Sequence, residues 1–251
     1  ETVLRDCHEM GKELIVESRC EQLTEEKLAW ATSINDKFSV AIGLEAYDDE
    51  VLRFHVNKGF TTKSWDRAVA NLQKFNLRIK TYLMFKPPFM SENDALEHGV
   101  KWISAVAEKS DEISVNPMNI QRGTVIDRLH RNNEYRPPWL WSLVEMIRRA
   151  HPLIHPNGGV NGDADQISRL IIHPTAGGKI RGAHNCGSCD SQVVTAIENY
   201  AVSGDLAEFD GLECECQAIW REELALESDL PVPLGISKPR RGNLLNRLRS
   251  F

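Results

Sequence analysis

Short apolar runs rich in β-branched residues alternate with helical patterns through most of this chain. Five of these runs predict strands, over residues 13–18, 38–45, 77–85, 112–119 and 168–174. The stretches between them carry apolar residues at helical spacing. Strands that are continuous apolar runs, separated by helices, are typical of a parallel sheet or barrel covered by helices. The sequence therefore predicts an α/β fold of this kind.

Polar residues at the ends of the predicted strands are the first candidates for a site, because parallel β/α folds bind ligands at the carboxyl ends of their strands. Glu17, Glu45 and Asn116 lie at such ends. Gly43 would let a ligand approach the backbone closely, and Glu45 can accept hydrogen bonds from ribose hydroxyls or an amine. Lys58 follows the next helix and is expected near the same rim. The pattern alone explains Glu45 and Lys58 equally well as exposed ends of regular elements.

Four of the six cysteines form a C-x2-C pair, Cys186 and Cys189, and a C-x-C pair, Cys214 and Cys216. Four thiolates match a tetrahedral zinc site, and we interpret the group as structural zinc ligands, with His184 as an alternative ligand. Free structural thiols or a redox or cluster role are the other possibilities. A redox dithiol needs a thioredoxin-like context that is not seen. A disulfide is disfavoured in a chain with no visible signal peptide.

Three longer segments resemble the core of radical S-adenosylmethionine (SAM) enzymes of the Elongator-like group: "ELIVESRCEQLTEEKL", "SVAIGLEAYDDEVLRFHVNKGFT" and "RIKTYLMFKPPFMSENDAL". Within that group, six shorter motifs in order resemble the archaeosine-biosynthesis proteins: "VESR", "GLEAYDDEV", "VNKGF", "FKPPF", "SVNPMNIQRGT" and "YRPPWLW". The likeness runs from about residue 12 to residue 220. It implies a partial (β/α) barrel of radical SAM type, here missing its first strands, with a C-terminal cysteine-containing extension.

The resemblance also implies cofactors and site residues. A [4Fe–4S] cluster would reduce SAM to a 5′-deoxyadenosyl radical, which abstracts hydrogen from the substrate. Glu45 takes the place of a ribose-contacting residue, and Glu17 that of a strand-end Glu beside the SAM amino acid. Lys58 stands where relatives carry an Arg that binds the SAM carboxylate, although its helix is one residue longer. Lys86 is either a cation near SAM or substrate, or an exposed loop lysine. Asn116 would touch adenine or a polar substrate, and no catalytic residue is identified.

The cysteine triplet of the family, C-x3-C-x2-C, is absent from this sequence, in which Cys7 and Cys20 stand alone. The chain begins at Glu1, inside a helical pattern. We therefore expect a fragment that has lost the cluster segment and is inactive by itself. The alternative is a degenerate relative that no longer performs the chemistry. A second departure is Tyr82, which falls where some relatives have a ribose-binding Asp.

Composition shifts predict three regions: the barrel core over 1–151, the last barrel elements with the zinc-binding region over 152–227, and a basic tail over 228–251. The net charge is −6, yet residues 238–250 hold five Lys or Arg and no acid. A second group of arginines lies within 122–149. These groups are either ordinary solvated surface or contacts for a phosphate backbone. No apolar run is long enough to span a bilayer, and we expect a cytoplasmic protein without membrane contact.

The resemblance implies a tRNA-modifying radical SAM lyase, which cleaves a lysine adduct on a 7-deazaguanine base to form archaeosine. Its partners would be tRNA and the enzyme that attaches the lysine. Two other functions stay open: a non-catalytic zinc-containing RNA- or protein-binding module on a degenerate barrel, and another Elongator-like radical SAM reaction. Trp139 and Trp141 are interpreted as helix-core residues, with base stacking as the alternative.

Overall fold

Five parallel strands form one sheet whose spatial order follows the chain, β1-β2-β3-β4-β5, in a computed structural model that describes residues 1–155 and 169–229. The strands are β1 Leu14–Ser18, β2 Phe38–Glu45, β3 Arg78–Phe85, β4 Glu112–Pro117 and β5 Arg169–Ile172. All five predicted strands are present. Residues 230–251, most of the predicted basic tail, and residues 156–168 before β5 lie outside the described residues.

Helices connect the strands and cover one face of the sheet. They are α1 Thr2–Glu9, α2 Glu25–Thr32, α3 Asp49–Val51 with its π-helical continuation Leu52–Val56, α4 Thr62–Lys74, α5 Glu92–Ala107, α6 Val125–Arg131, α7 Leu140–Ile154, α8 Asp190–Ser203 and α9 Cys216–Ser228. The side chains of Thr24 and Ser91 cap α2 and α5 by accepting from the backbone N–H groups of Lys27 and Asp94. None of the helices in the described ranges is long and apolar enough to cross a membrane.

The two faces of the sheet have different environments because side chains alternate along each strand. On β2, Val40, Ile42 and Leu44 are at most 1% exposed and belong to the main core under the helices. The intervening residues Ala41 and Gly43 point to the opposite face, where they line a cavity. The fold therefore buries one face and keeps the other for polar groups.

Gly99 allows α5 to lie close to its neighbours. A Cβ at this position would meet Met146 Sδ at 3.0 Å and Phe85 Cδ2 at 3.3 Å. Since α5 packs between β3 and α7 here, the missing side chain lets α5 approach both of them closely. Trp102 of α5 is 1% exposed in the same layer.

Two helices were not predicted from the sequence. The first, α6, has only seven residues, too few for a clear periodic pattern. The second, α9, buries only Cys216 and Trp220 and presents mainly acidic and polar side chains elsewhere, so its apolar periodicity is weak. The second of them, α9, begins at Cys216, one of the four clustered cysteines.

Candidate functional site

An open cavity of about 580 Å³ lies on the uncovered face, near the carboxyl ends of the strands. It is lined by Glu17, Ser18, Arg19, Ala41, Gly43, Glu45, Tyr82 and Asn116. Three residues singled out from strand ends, Glu17, Glu45 and Asn116, are therefore brought together. This is the edge at which parallel β/α folds bind ligands.

Glu45 ends β2 in an unusual backbone conformation. Its φ is 73°, a left-handed value that is uncommon outside glycine, and the pairing of β2 with β3 shifts register between Gly43 and Glu45. The carboxylate accepts a hydrogen bond from Lys58 Nζ at 2.8 Å, and both side chains are about one-fifth exposed. A Cβ on Gly43 would lie 3.0 Å from Glu45 Oε1 and 3.1 Å from Lys58 Nζ. Gly43 thus leaves room for this ion pair and for a ligand beside it.

A π-helical turn, Leu52–Val56, carries the chain from α3 to Lys58. A π-turn holds more residues than an α-turn, so it accommodates a helix with one additional residue. Asn57 ends the turn with a left-handed φ of 56°, and the Lys58 N–H donates to the Leu52 carbonyl at 2.9 Å. Asn57 is therefore the cap that ends this turn immediately before Lys58.

Two further polar groups line the cavity beside Glu17. Tyr82 donates from its hydroxyl to Glu17 Oε1 at 3.2 Å, and burial raises the pKa of this tyrosine. Arg19 donates to Glu21 at 2.8 Å and to the Lys58 carbonyl at 3.2 Å. Arg19 was not assigned a role from the sequence, since its contacts depend on the distant Lys58 loop. The cavity therefore combines carboxylates, a guanidinium and a phenol.

Lys86 does not line this cavity. It is 5% exposed, and its ammonium donates to Glu92 Oε2 at 2.6 Å, where the Glu92 side chain is fully buried. The Lys86 carbonyl accepts from Tyr135 at 2.8 Å, and Glu92 Oε1 accepts from the Trp139 N–H at 2.8 Å. Lys86 is therefore not an exposed loop lysine, and its proposed role as a cation near SAM or substrate stays a prediction. It forms a buried ion pair that ties the loop after β3 to α5.

A second candidate site gathers the four C-terminal cysteines. The sulfur atoms of Cys186, Cys189, Cys214 and Cys216 all lie within 4.8 Å of one another. The distances are 3.7 Å for Cys186 to Cys214 and for Cys189 to Cys216, and 4.0 Å for Cys186 to Cys189. Tetrahedral zinc with bonds of about 2.3 Å places its sulfur ligands roughly 3.8 Å apart. The four thiols therefore have the spacing of a tetrahedral metal site, whereas each pair is too far apart for a disulfide.

Neighbouring donors point at the sulfur atoms. Trp141 Nε1 donates to Cys216 Sγ at 3.2 Å, and Asn185 Nδ2 donates to Cys189 Sγ at 3.3 Å. Backbone N–H groups at Ser188 and Cys189 lower the pKa of Cys186 to about 6, while burial raises that of Cys216 to about 12. Hydrogen bonds of this kind orient ligands and stabilise thiolates.

The alternative ligand His184 does not join the four sulfur atoms. Its Nδ1 instead hydrogen-bonds with the Gly182 carbonyl at 2.8 Å. Asp190 holds the turn that carries Cys186 and Cys189. Its Oδ1 accepts hydrogen bonds from the backbone N–H groups of Asn185 and Gly187. This carboxylate begins α8, so the helix and the cysteine pair are fixed together.

The arginines within 122–149 do not form one surface. Arg136 lies over the Trp139 ring at 3.8 Å and donates to the His184 carbonyl. Arg149 makes a bidentate pair with Glu97, at 2.8 and 2.9 Å. Trp139 and Trp141 are 6% and 3% exposed, as expected for helix-core residues. Three other arginines of this range are exposed and lie in or next to α6: Arg122, Arg128 and Arg131.

The chain is similar in sequence to two curated archaeal proteins that carry the same name. The chain is 35% identical over 216 residues to archaeosine synthase subunit beta of Methanosarcina acetivorans, covering 85% of this chain and 59% of that protein. It is 36% identical over 212 residues to archaeosine synthase subunit beta of Thermococcus kodakarensis, covering 83% and 62%. The chain thus spans about three-fifths of the length of these relatives. No protein-family model matches it.

Among solved structures, the chain resembles the archaeal Elp3 of Methanocaldococcus infernus with its N-terminus deleted. The TM-score is 0.57 at 17% identity, over 80% of this chain and 43% of that chain. At this identity the likeness concerns the fold. It confirms the predicted α/β fold class, a parallel sheet covered by helices with a cysteine group toward the C-terminus.

Proposed function

We propose that this chain, an archaeosine-related member of the Elongator-like radical SAM proteins, forms the SAM-binding part of an enzyme that modifies tRNA. The observation that supports this most directly is the cavity at the carboxyl edge of the sheet, in which Glu17, Glu45 and Asn116 converge. In the proposed reaction, a lysine adduct on a 7-deazaguanine base of tRNA is cleaved to form archaeosine. The enzyme that attaches the lysine would be the partner.

In this proposal the residues of the cavity hold SAM by its polar groups. Glu45 accepts hydrogen bonds from the ribose hydroxyls, and Glu17 faces the amino group of the methionine moiety. Lys58 and Arg19 supply positive charge for the SAM carboxylate. Since Glu45 and Lys58 pair with each other here, SAM would exchange that ion pair for contacts of its own. Asn116 is left for adenine or a polar substrate group.

The residues present do not fit the iron–sulfur cluster. The sequence has no C-x3-C-x2-C motif, and none of the four clustered cysteines lines the cavity. Such a cluster would supply the electron for SAM cleavage. Because this chain offers no open three-thiolate site, we propose that it binds and orients SAM but is not catalytically competent by itself.

The four-thiol group is proposed to hold zinc in a structural role. Its sulfur spacing matches tetrahedral coordination, and four protein thiolates leave no open position for a substrate. This group also supports the second candidate function, a non-catalytic zinc-containing module that binds RNA or protein on a barrel that has lost its chemistry. SAM binding distinguishes the two, because only the enzyme requires it.

Removing the Glu45–Lys58 pair tests the SAM site. In the purified protein, E45A/K58A should bind SAM at least about tenfold more weakly, since charged hydrogen bonds contribute about 1.5–3 kcal/mol each. Titration calorimetry measures the affinity directly. The matched control is K80A/E112A, because Lys80 and Glu112 form a similarly exposed ion pair at 2.6 Å. Unchanged SAM affinity in E45A/K58A would contradict the assignment.

Filling the space above Gly43 gives an independent test. Gly43→Val places a β-branched side chain against Glu45 and Lys58, so SAM should bind about tenfold more weakly or worse. The strand itself should remain stable, because valine suits extended backbone. Ser39→Val is the control, since Ser39 faces the same side of β2 but lies outside the cavity lining. If both variants bind SAM like the parent, the cavity is not the site.

A further inference from the structure

Five cationic side chains gather around α6 and the turn that follows β5. We call this set the basic rim; it consists of Arg122, Arg128, Arg131, Lys179 and Arg181. Four of the five residues are exposed, and Arg181 is half-buried. Ile180, at the tip of the turn, is 72% exposed. This positive cluster stands on a protein whose net charge is −6.

A buried carboxylate joins the two segments of the rim. Asp127 accepts from Arg181 at 2.6 Å, from Arg131 at 2.7 Å and from the Gly123 N–H at 3.0 Å. Its hydrogen bond with Arg181 lowers the pKa of Asp127 to about 2, so the carboxylate stays ionised. One acid thus fixes two arginines of the rim, one from each segment.

Backbone bonds hold the same two segments together. The Ile120 N–H donates to the Arg181 carbonyl at 2.7 Å, and Arg181 Nε donates to the Ile120 carbonyl at 3.0 Å. These segments follow β4 and β5, so the basic rim lies on the carboxyl edge of the sheet, where the cavity opens. Asn116, near the end of β4, belongs to the cavity lining itself.

We propose that the basic rim binds the phosphate backbone of a folded RNA and thereby presents a base to the cavity. This inference rests on the proposed function and names the surface that receives its tRNA substrate. Guanidinium groups bind phosphate oxygens with paired donors, and such contacts fix position rather than sequence. Ile180 offers an apolar contact to sugar or base within the rim. An acidic protein surface is the competing occupant.

The test removes the three rim cations other than Arg131 and Arg181, the two arginines whose ion pairs with Asp127 join the segments. The variant R122A/R128A/K179A keeps Arg131 and Arg181, and so keeps the joint between the segments. Its control, K12A/K37A/R78A, removes equal charge from exposed positions at the opposite edge of the sheet, before β1 and β2 and at the start of β3. The probe is an unmodified tRNA transcript, titrated against the full-length protein at several salt concentrations.

The rim variant should bind the transcript on the order of ten- to a hundredfold more weakly, and the slope of log affinity against log salt should shrink by about 2–3. The control should bind like the parent. Unchanged RNA affinity in the rim variant, or an equal loss in both variants, would overturn the proposal. The proposal would also be overturned if the rim variant no longer bound an acidic protein partner but still bound RNA like the parent.

SAM affinity, measured in parallel, separates this inference from the proposed function. The rim variant should bind SAM like the parent, because none of its three residues lines the cavity. A protein that binds RNA through the rim but does not bind SAM would overturn the proposed function and leave the rim intact. A protein that binds SAM normally but shows no rim-dependent RNA binding would overturn the rim inference and leave the proposed SAM site intact.

Discussion

Purified protein should contain about one zinc ion per chain, and the C186S/C214S variant should contain almost none. Structural zinc bound by four thiolates contributes folding free energy directly, so the variant should also lose several kcal/mol of stability. Metal analysis and chemical denaturation measure the two effects. Because Cys216 begins α9, loss of the metal should first expose that helix to protease.

The control for this experiment is C7S, which alters a cysteine outside the four-thiol group. It should retain zinc and nearly all stability. Treatment with a strong chelator should reproduce the protease sensitivity of the double variant in the parent protein. A folded parent that contains no metal would refute the site, and iron in place of zinc would refute the choice of metal.

Replacing Glu92 with alanine should destabilise the protein by about 3–5 kcal/mol, since it leaves the buried Lys86 ammonium without its partner. The same change removes the acceptor of the Trp139 N–H. For a chain of this size the midpoint of thermal unfolding should fall by roughly 6–20 °C. Urea denaturation and thermal scans at neutral pH measure the effect.

Two controls separate ion pairing from other causes. E97A removes a half-exposed glutamate on the same helix, paired with Arg149, and should cost less than about 1 kcal/mol. K86M/E92Q removes the charges while keeping an acceptor for Trp139, so it should be much milder than E92A. If E92A is as stable as E97A, the buried pair does not hold the loop after β3.

The periodic features of the fold were predictable from the sequence. Buried parallel strands need continuous apolar runs, and these five runs gave the strands and their number. The rule that ligands lie at carboxyl ends brought out Glu17, Glu45 and Asn116, which share one cavity. Cysteine spacing similarly predicted the four-thiol group. In each case a local pattern carries the information.

Residues in irregular segments were not predictable in the same way. Lys86 looked like a loop cation, but Glu92 and the distant Tyr135 decide its environment. Arg136 and Arg149 looked like part of one basic region, yet each has a partner elsewhere in the chain. Long charged side chains reach several ångströms, so their partners depend on which helices pack side by side.

The sequence alone determined the α/β architecture, the residues at the strand ends and the set of cysteines, because apolar periodicity and ligand spacing are properties of neighbouring residues. Only the tertiary structure decided which charges are neutralised. It paired Glu45 with Lys58, buried Lys86 against Glu92, and joined Arg131 and Arg181 through Asp127. The physical reason is that the interaction energy of a charged group depends on its burial and on the distance to its partner. Both are fixed by contacts between segments far apart in the chain.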